Sequence, residues 1–169
     1  MSKSAPEPII SSAHLASGAS PALSELEFSL NLAATAYNKW IVRCSAAAGQ
    51  QLSPLEVLVL HSVRHRGRPK RFMDLMLVLH VDDTHLVNYA VRKLSAAGLV
   101  ATKRVGKEKV VEVTDRGVEF CDAYRDIRER LLVGDVKASL DEAELSSIAV
   151  KLRMLSGDYS QATRSAATL

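Results

Sequence analysis

The chain has 169 residues, 47% of them apolar and 24% charged, and a net charge of +3. This is the balance of a folded protein with a sizeable core, and the length suggests one domain with appendages. No apolar run approaches the roughly eighteen residues of a membrane span, and no basic start with an apolar run behind it marks a signal peptide, so a cytoplasmic protein without a membrane segment is expected.

Residues 1–20 are rich in Ser, Ala and Pro without steady periodicity and read as a flexible tail. From Pro21 the pattern turns helical. Leu23, Leu26, Leu30, Ala33, Ala34, Tyr37, Ile41 and Cys44 share one side, and Gly49 stops the run, so a long helix over 21–50 is expected. At 1.5 Å per residue it spans roughly 40 Å. A helix that outruns its own domain commonly packs on another subunit. Leu52-Ser-Pro-Leu-Glu opens the next helix, with Ser53 as N-cap, Pro54 first in the helix and Glu56 closing a capping box. Leu55, Val57, Leu58, Val59 and Leu60 make it apolar enough to be buried, and it ends near Gly67. Arg68-Pro-Lys-Arg then leads into a short helix, Phe72 to Leu79, and a turn at Val81–Asp83.

The stretch from Asp82 to Val113 is the most telling. Asp82 and Asp83 are both suitable N-caps, Val87, Ala90, Val91, Leu94 and Ala97 recur at helical spacing, and Gly98 suits the left-handed stop. The other face carries His85, Leu86, Asn88, Tyr89, Arg92 and Lys93, side chains suited to base edges and phosphates in a major groove. Leu86 stands out: it either touches a thymine methyl or belongs to the core at a slightly different helix rotation. Two β-rich segments follow, Leu99–Val105 and Lys109–Thr114, around a Gly106-Lys107-Glu108 turn. Lys103, Arg104, Lys107 and Lys109 cluster at that tip. A lysine-rich hairpin can be merely a protected edge; directly behind a capped cationic helix it points to phosphate contact. From His61 to Val110 there are eleven Lys and Arg against four Asp and Glu, an excess of +7 in a chain of +3, which leaves the flanks at −4. Such segregation is the footprint of nucleic-acid binding, although an anionic membrane surface fits the same composition.

After the hairpin, Thr114-Asp-Arg-Gly117 opens a helix to about Val133. Asp141 caps another from about Glu142 to Ser156, with Leu145, Ile148, Ala149, Leu152 and Leu155 as its stripe, and residues 157–169 read as a frayed tail. The order helix, short helix, turn, helix, hairpin is that of a winged helix-turn-helix. The expected fold is mainly α with a small β-hairpin wing: a winged helix-turn-helix over 51–114, with the long helix of 21–50 and the helices of 115–156 outside it.

The chain resembles the multiple-antibiotic-resistance-regulator (MarR) family of winged-helix transcription regulators. The resemblance rests on Leu-Ser-Pro-Leu-Glu-Val-Leu-Val-Leu at 52–60, on the Val87, Val91, Leu94 helix with Ala97-Gly98-Leu99-Val100 behind it, and on Val113-Thr114-Asp115-Arg116-Gly117. Asp83-Thr84-His85, Tyr89-Ala90, Arg104-Val105-Gly106-Lys107-Glu108, and Trp40-Ile-Val-Arg43-Cys44 with Ala46-Ala47-Ala48-Gly49 look like a proteobacterial subgroup of predicted regulators within it. The family's usual wing tip is richer in Asp and Arg, and its turn before the recognition helix is one residue shorter. The resemblance implies a homodimer that binds double-stranded DNA, with recognition helices in adjacent major grooves. It also implies N- and C-terminal dimerisation helices, and a small-molecule effector held in many relatives between the DNA lobe and those helices.

On this reading His85, Asn88, Tyr89 and Arg92 approach bases, and Asn88 suits a bidentate contact to adenine. Arg68, Lys70, Arg71, Thr84, Lys93, Lys103, Arg104, Lys107 and Lys109 hold phosphates. Leu26, Leu30, Tyr37, Leu145, Ile148 and Leu152 form the dimer interface. The alternative is a winged-helix adaptor whose basic face meets an acidic protein. No nucleophile motif or Gly-rich phosphate loop appears, so neither an enzyme nor a cofactor is expected. His61 and His65 are spaced to share a metal, but no further ligand follows; one packing and one solvent-facing histidine are expected. Cys44 and Cys121 lack metal-like spacing and read as buried reduced thiols, with a redox-sensing pair as the alternative.

Overall fold

The structure is a computed structural model that describes residues 13–169. The chain divides into two compact units, Met1–Tyr124 and Arg125–Leu169.

The first unit opens with a helical turn, α1 (Ala13–Ala16), within the stretch expected to be a flexible tail; the rest of that tail, residues 1–12, lies outside the described residues. The helix α2 runs Pro21–Ala47, capped by Ser20, whose hydroxyl accepts from the Leu23 N–H, with proline first in the helix. Its C-terminal end is buried through Ile41 and Cys44, whereas residues 31–39 are exposed throughout. Gly49 ends it at φ +96°, a backbone region that glycine enters without penalty. In α3 (Pro54–Arg64) both halves of the expected capping box form: Ser53 Oγ accepts from Glu56 N–H, and Glu56 Oε2 accepts from Ser53 N–H at 2.9 Å. A 3-10 turn, His65–Gly67, leads to α4 (Phe72–Leu79) and then α5 (Thr84–Ala96).

The strands β2 (Val100–Val105) and β3 (Glu108–Val113) form the expected hairpin. Two details differ from the sequence reading. Val105 pairs with Glu108, so the turn is only Gly106-Lys107, and Gly106 at φ +62° stands at the first central position, where a type II′ turn requires it. Lys70–Arg71, read as a lead-in to the short helix, is a strand, β1, on the outer side of β3, with Lys70 opposite Val111. A two-residue strand carries no periodicity of its own; β3 imposes it.

The core of this unit is a helix–helix–sheet sandwich. Leu60 and Val63 of α3, Leu75 of α4, Val87, Val91 and Leu94 of α5, Leu99 just before β2 and Val111 of β3 are all at most 2% exposed. Each such side chain stabilises the unit by roughly 1.5–3 kcal/mol. The helix α6 (Asp115–Arg128) contributes Phe120, Cys121 and Tyr124.

In the second unit, the helix expected to run on to about Val133 instead passes through a π-helical turn, Glu129–Val133, into α7 (Gly134–Ser139). Asp141 caps α8 in a second reciprocal capping box with Glu144. The helix α8 covers Glu142–Ala166, so residues 157–166 are helical rather than frayed. A single glycine such as Gly157 costs a helix only about 1 kcal/mol against alanine, too little to stop a long one. Among the described residues no helix is long and apolar enough to cross a membrane.

Candidate nucleic-acid interface

The helix α5 is aimed by both of its ends. Asp83 is its N-cap, with Oδ1 accepting from the His85 N–H at 2.8 Å. At the other end Gly98, at φ +71°, lets the Leu99 N–H bond back to the Leu94 carbonyl. Leu99 then enters the sheet, and Thr114 fastens the far side of the hairpin to it. The Thr114 N–H donates to the Leu99 carbonyl at 3.1 Å, its hydroxyl to the Gly98 carbonyl at 2.7 Å, and the same oxygen accepts from the Gly117 N–H. Gly117 is packed so tightly that a Cβ there would lie 2.1 Å from the Leu99 carbonyl oxygen. The Thr114-Asp-Arg-Gly117 motif is thus a clamp at the junction of recognition helix, wing and α6.

With Val87, Ala90, Val91 and Leu94 buried, α5 presents His85, Leu86, Tyr89, Arg92 and Lys93 outward. Leu86 is 52% exposed, which rules out the core reading. Thr84, the first residue of the helix, is also exposed. Asn88 is different: it is half-buried, and its Oδ1 accepts from Lys109 Nζ at 3.1 Å. Lys93 Nζ lies 3.8 Å from Oε1 of the buried Glu56 and 5.2 Å from the Tyr89 ring centroid. It is therefore drawn along the helix surface as well as out from it.

The basic side chains expected at the DNA fall into two groups. Arg68, Arg92, Arg104 and Lys107 are exposed and form no ion pair among the described residues. The rest are engaged. Lys70 Nζ folds back onto the His65 and Arg68 carbonyls at 2.6 and 3.1 Å, which holds the turn before β1. Arg71 pairs with Glu108 at 3.1 Å and Lys103 with Glu112 at 2.6 Å. Both pairs are solvent-exposed and worth at most about 1 kcal/mol, so a phosphate competes for either cation at little cost. Glu112 lies outside the basic segment 61–110, and only the strand register brings it near Lys103. Sequence reasoning also missed Phe72, whose buried ring lies beneath the Lys109 ammonium at 5.2 Å.

The candidate dimer residues are uncovered in the single chain: Leu26, Tyr37, Ile148 and Leu152 are exposed, and Leu30 and Leu145 half-buried. His61 packs edge-on against Tyr124 with ring centroids 4.8 Å apart, and burial lowers its pKa. His65 is solvent-facing, and among the described residues no cluster of three metal-ligating side chains occurs. Both cysteines are buried and neither is in a disulfide; burial, with a smaller contribution from Asp122, raises the Cys121 thiol to about 11 against an opposing pull from Arg64.

A recognition helix clamped to a cationic two-stranded wing defines the winged-helix class. Residues 52–117 match the family model of the winged helix DNA-binding domain. No curated protein matches in sequence. Solved structures match over most of the chain. A MarR family regulator from Neisseria meningitidis is 15% identical, with 83% of this chain and 94% of that one covered and a TM-score of 0.67. A mutant MarR from E. coli complexed with operator DNA is 15% identical, covering 82% and 99%, with a TM-score of 0.66. BpsR of Bordetella bronchiseptica, whose DNA binding is regulated by 6-hydroxynicotinic acid, is 22% identical, covering 75% and 96%, with a TM-score of 0.54. At these identities the likeness establishes the fold: this chain has the MarR-like winged-helix architecture.

Proposed function

We propose that this protein is a sequence-specific DNA-binding transcription regulator that acts as a homodimer. The observation that carries the reading is the outward face of α5, with His85, Tyr89 and Arg92 exposed beside a wing that offers Arg104 and Lys107. This face lies within the segment that matches a DNA-binding domain. Exposed Leu86 suits a thymine methyl in the same groove. A homodimer is supported by the uncovered apolar residues of α2 and α8, among them Tyr37 at 53% and Ile148 at 42% exposure. Dimeric winged-helix proteins read half-sites about one helical turn apart, roughly 10 bp.

An effector site is supported by a groove of about 330 Å³ within the first unit, between α3 and α4. Leu58, Leu75 and Val78 supply apolar walls, and Ser62, His61 and Asp74 the polar points. Its size suits a single-ring molecule.

Selection of bound sequences from random DNA tests the main reading. Recovery of a two-fold symmetric motif with half-sites one turn apart is expected. Failure to enrich any sequence at low salt refutes it. Light scattering on Tyr37→Asp and Ile148→Asp reads the oligomeric state: a wild-type dimer and monomeric variants are expected, and a wild-type monomer refutes the homodimer.

A further inference from the structure

We infer that Asn88 and Lys109 form a positioning pair that locks the wing to the recognition helix, and that Asn88 is not a base reader; this rests on the DNA-binding reading above. An ammonium only donates, so the Asn88 atom facing Lys109 Nζ at 3.1 Å is the carbonyl oxygen, whichever way an amide might be assigned. A bidentate contact to adenine needs that oxygen and the amide nitrogen aimed together at one base edge. Here the oxygen is turned toward β3 and the residue is half-buried, while its helix neighbours His85, Leu86 and Tyr89 are exposed. The same ammonium sits 5.2 Å from the centroid of the Phe72 ring, and Phe72 is a buried residue at the start of α4. One cation therefore joins three elements: β3, α5 and α4. Lys109 is half-buried, unlike Lys107 at the tip, and among the described residues it makes no ion pair with a carboxylate. The wing is thus held to α5 at its base by the Thr114 clamp and nearer its tip by this side chain.

The pair differs from a phosphate contact in what its loss does. Lys109→Met keeps the aliphatic stem over Phe72 and removes only the ammonium. Hydrogen exchange on the DNA-free protein gives the first readout. The wing amides of Lys109→Met and of Asn88→Ala are expected to exchange roughly fivefold faster than wild type, the effect of one lost hydrogen bond. The double variant is expected to exchange no faster than Lys109→Met alone, because loss of the ammonium already removes its bond to Asn88. Wing exchange unchanged in both single variants, or additive effects in the double, overturns the pair. DNA binding gives the second readout. The salt slope of Lys109→Met is expected to equal that of wild type, and its preference for the selected motif over random DNA to fall. A slope lower by about one with preference retained makes Lys109 a phosphate contact and overturns the inference. Relaxed selection at a single base position in Asn88→Ala, with wing exchange unchanged, makes Asn88 a base reader and overturns it equally. If no DNA is bound but the exchange result holds, the pair stands and the DNA-binding reading falls.

Discussion

Gly117→Ala is the sharpest test of how the recognition helix is held. On an open helix surface the change stabilises, because alanine exceeds glycine by about 1 kcal/mol in helix propensity. Here the new Cβ falls 2.1 Å from the Leu99 carbonyl oxygen and 2.8 Å from Val113 Cγ2. Real contacts of that kind are above 3 Å, so Leu99 must retreat by about an ångström or α6 must lift by as much. Overpacking of this sort costs about 1–3 kcal/mol. The Leu99 carbonyl also accepts the Thr114 N–H at 3.1 Å, and breaking that buried bond adds about 1–3 kcal/mol. The losses outweigh the propensity gain, and a net destabilisation of about 2–4 kcal/mol is expected, a fall in Tm of roughly 5–15 °C for a chain of this size. Gly134→Ala is the control, since nothing lies within 4 Å of its Cβ position; that variant should match or slightly exceed wild type in a thermal melt. Because Leu99 links α5 to β2, Gly117→Ala should also weaken binding to the selected DNA motif at temperatures where it is folded. A Gly117→Ala protein as stable as wild type would falsify the clamp.

Three further outcomes follow from the same geometry. Arg104→Ala and Lys107→Ala should each lower the slope of log K against log salt by about one in a polarisation titration; unchanged slopes would remove both from the phosphate contacts. His61 has a pKa below the ordinary 6.5 because it is buried, so the unfolded chain binds its proton first as pH falls. Stability should therefore drop below about pH 6.5, and the pH dependence of urea midpoints should flatten in His61→Phe; an equal slope in both proteins refutes the assignment. With Cys121 raised to about 11 and both thiols buried, a thiol reagent at pH 8 should label neither until the protein unfolds. Rapid labelling of the native state would reopen redox sensing.

The local code was legible where one segment suffices to state it. Ser53-Pro-Leu-Glu56 and Asp141 announced their helices, because a cap is written within a few consecutive residues. The periodicity of Val87, Val91 and Leu94 marked the buried side of the recognition helix, and Gly106 marked the hairpin. These were enough to order the elements as a winged helix and to gather the positive charge on one segment. What could not be read there depends on which strands and helices meet. Lys70–Arg71 becomes a strand only because β3 offers it an edge. Leu86 is as apolar as any core residue, and only the packing angle of α5 turns it outward. Lys103 and Arg71 looked like free cations until the register set Glu112 and Glu108 beside them. Asn88 and Lys109 are twenty-one residues apart and signal nothing to each other in the chain. Sequence by itself determined the main helices, the hairpin, their order and the sign of the surface, since those follow from local hydrogen bonding and composition. Tertiary structure alone decided which side chains on that surface are free to meet a partner, because that depends on long-range contacts with no local pattern.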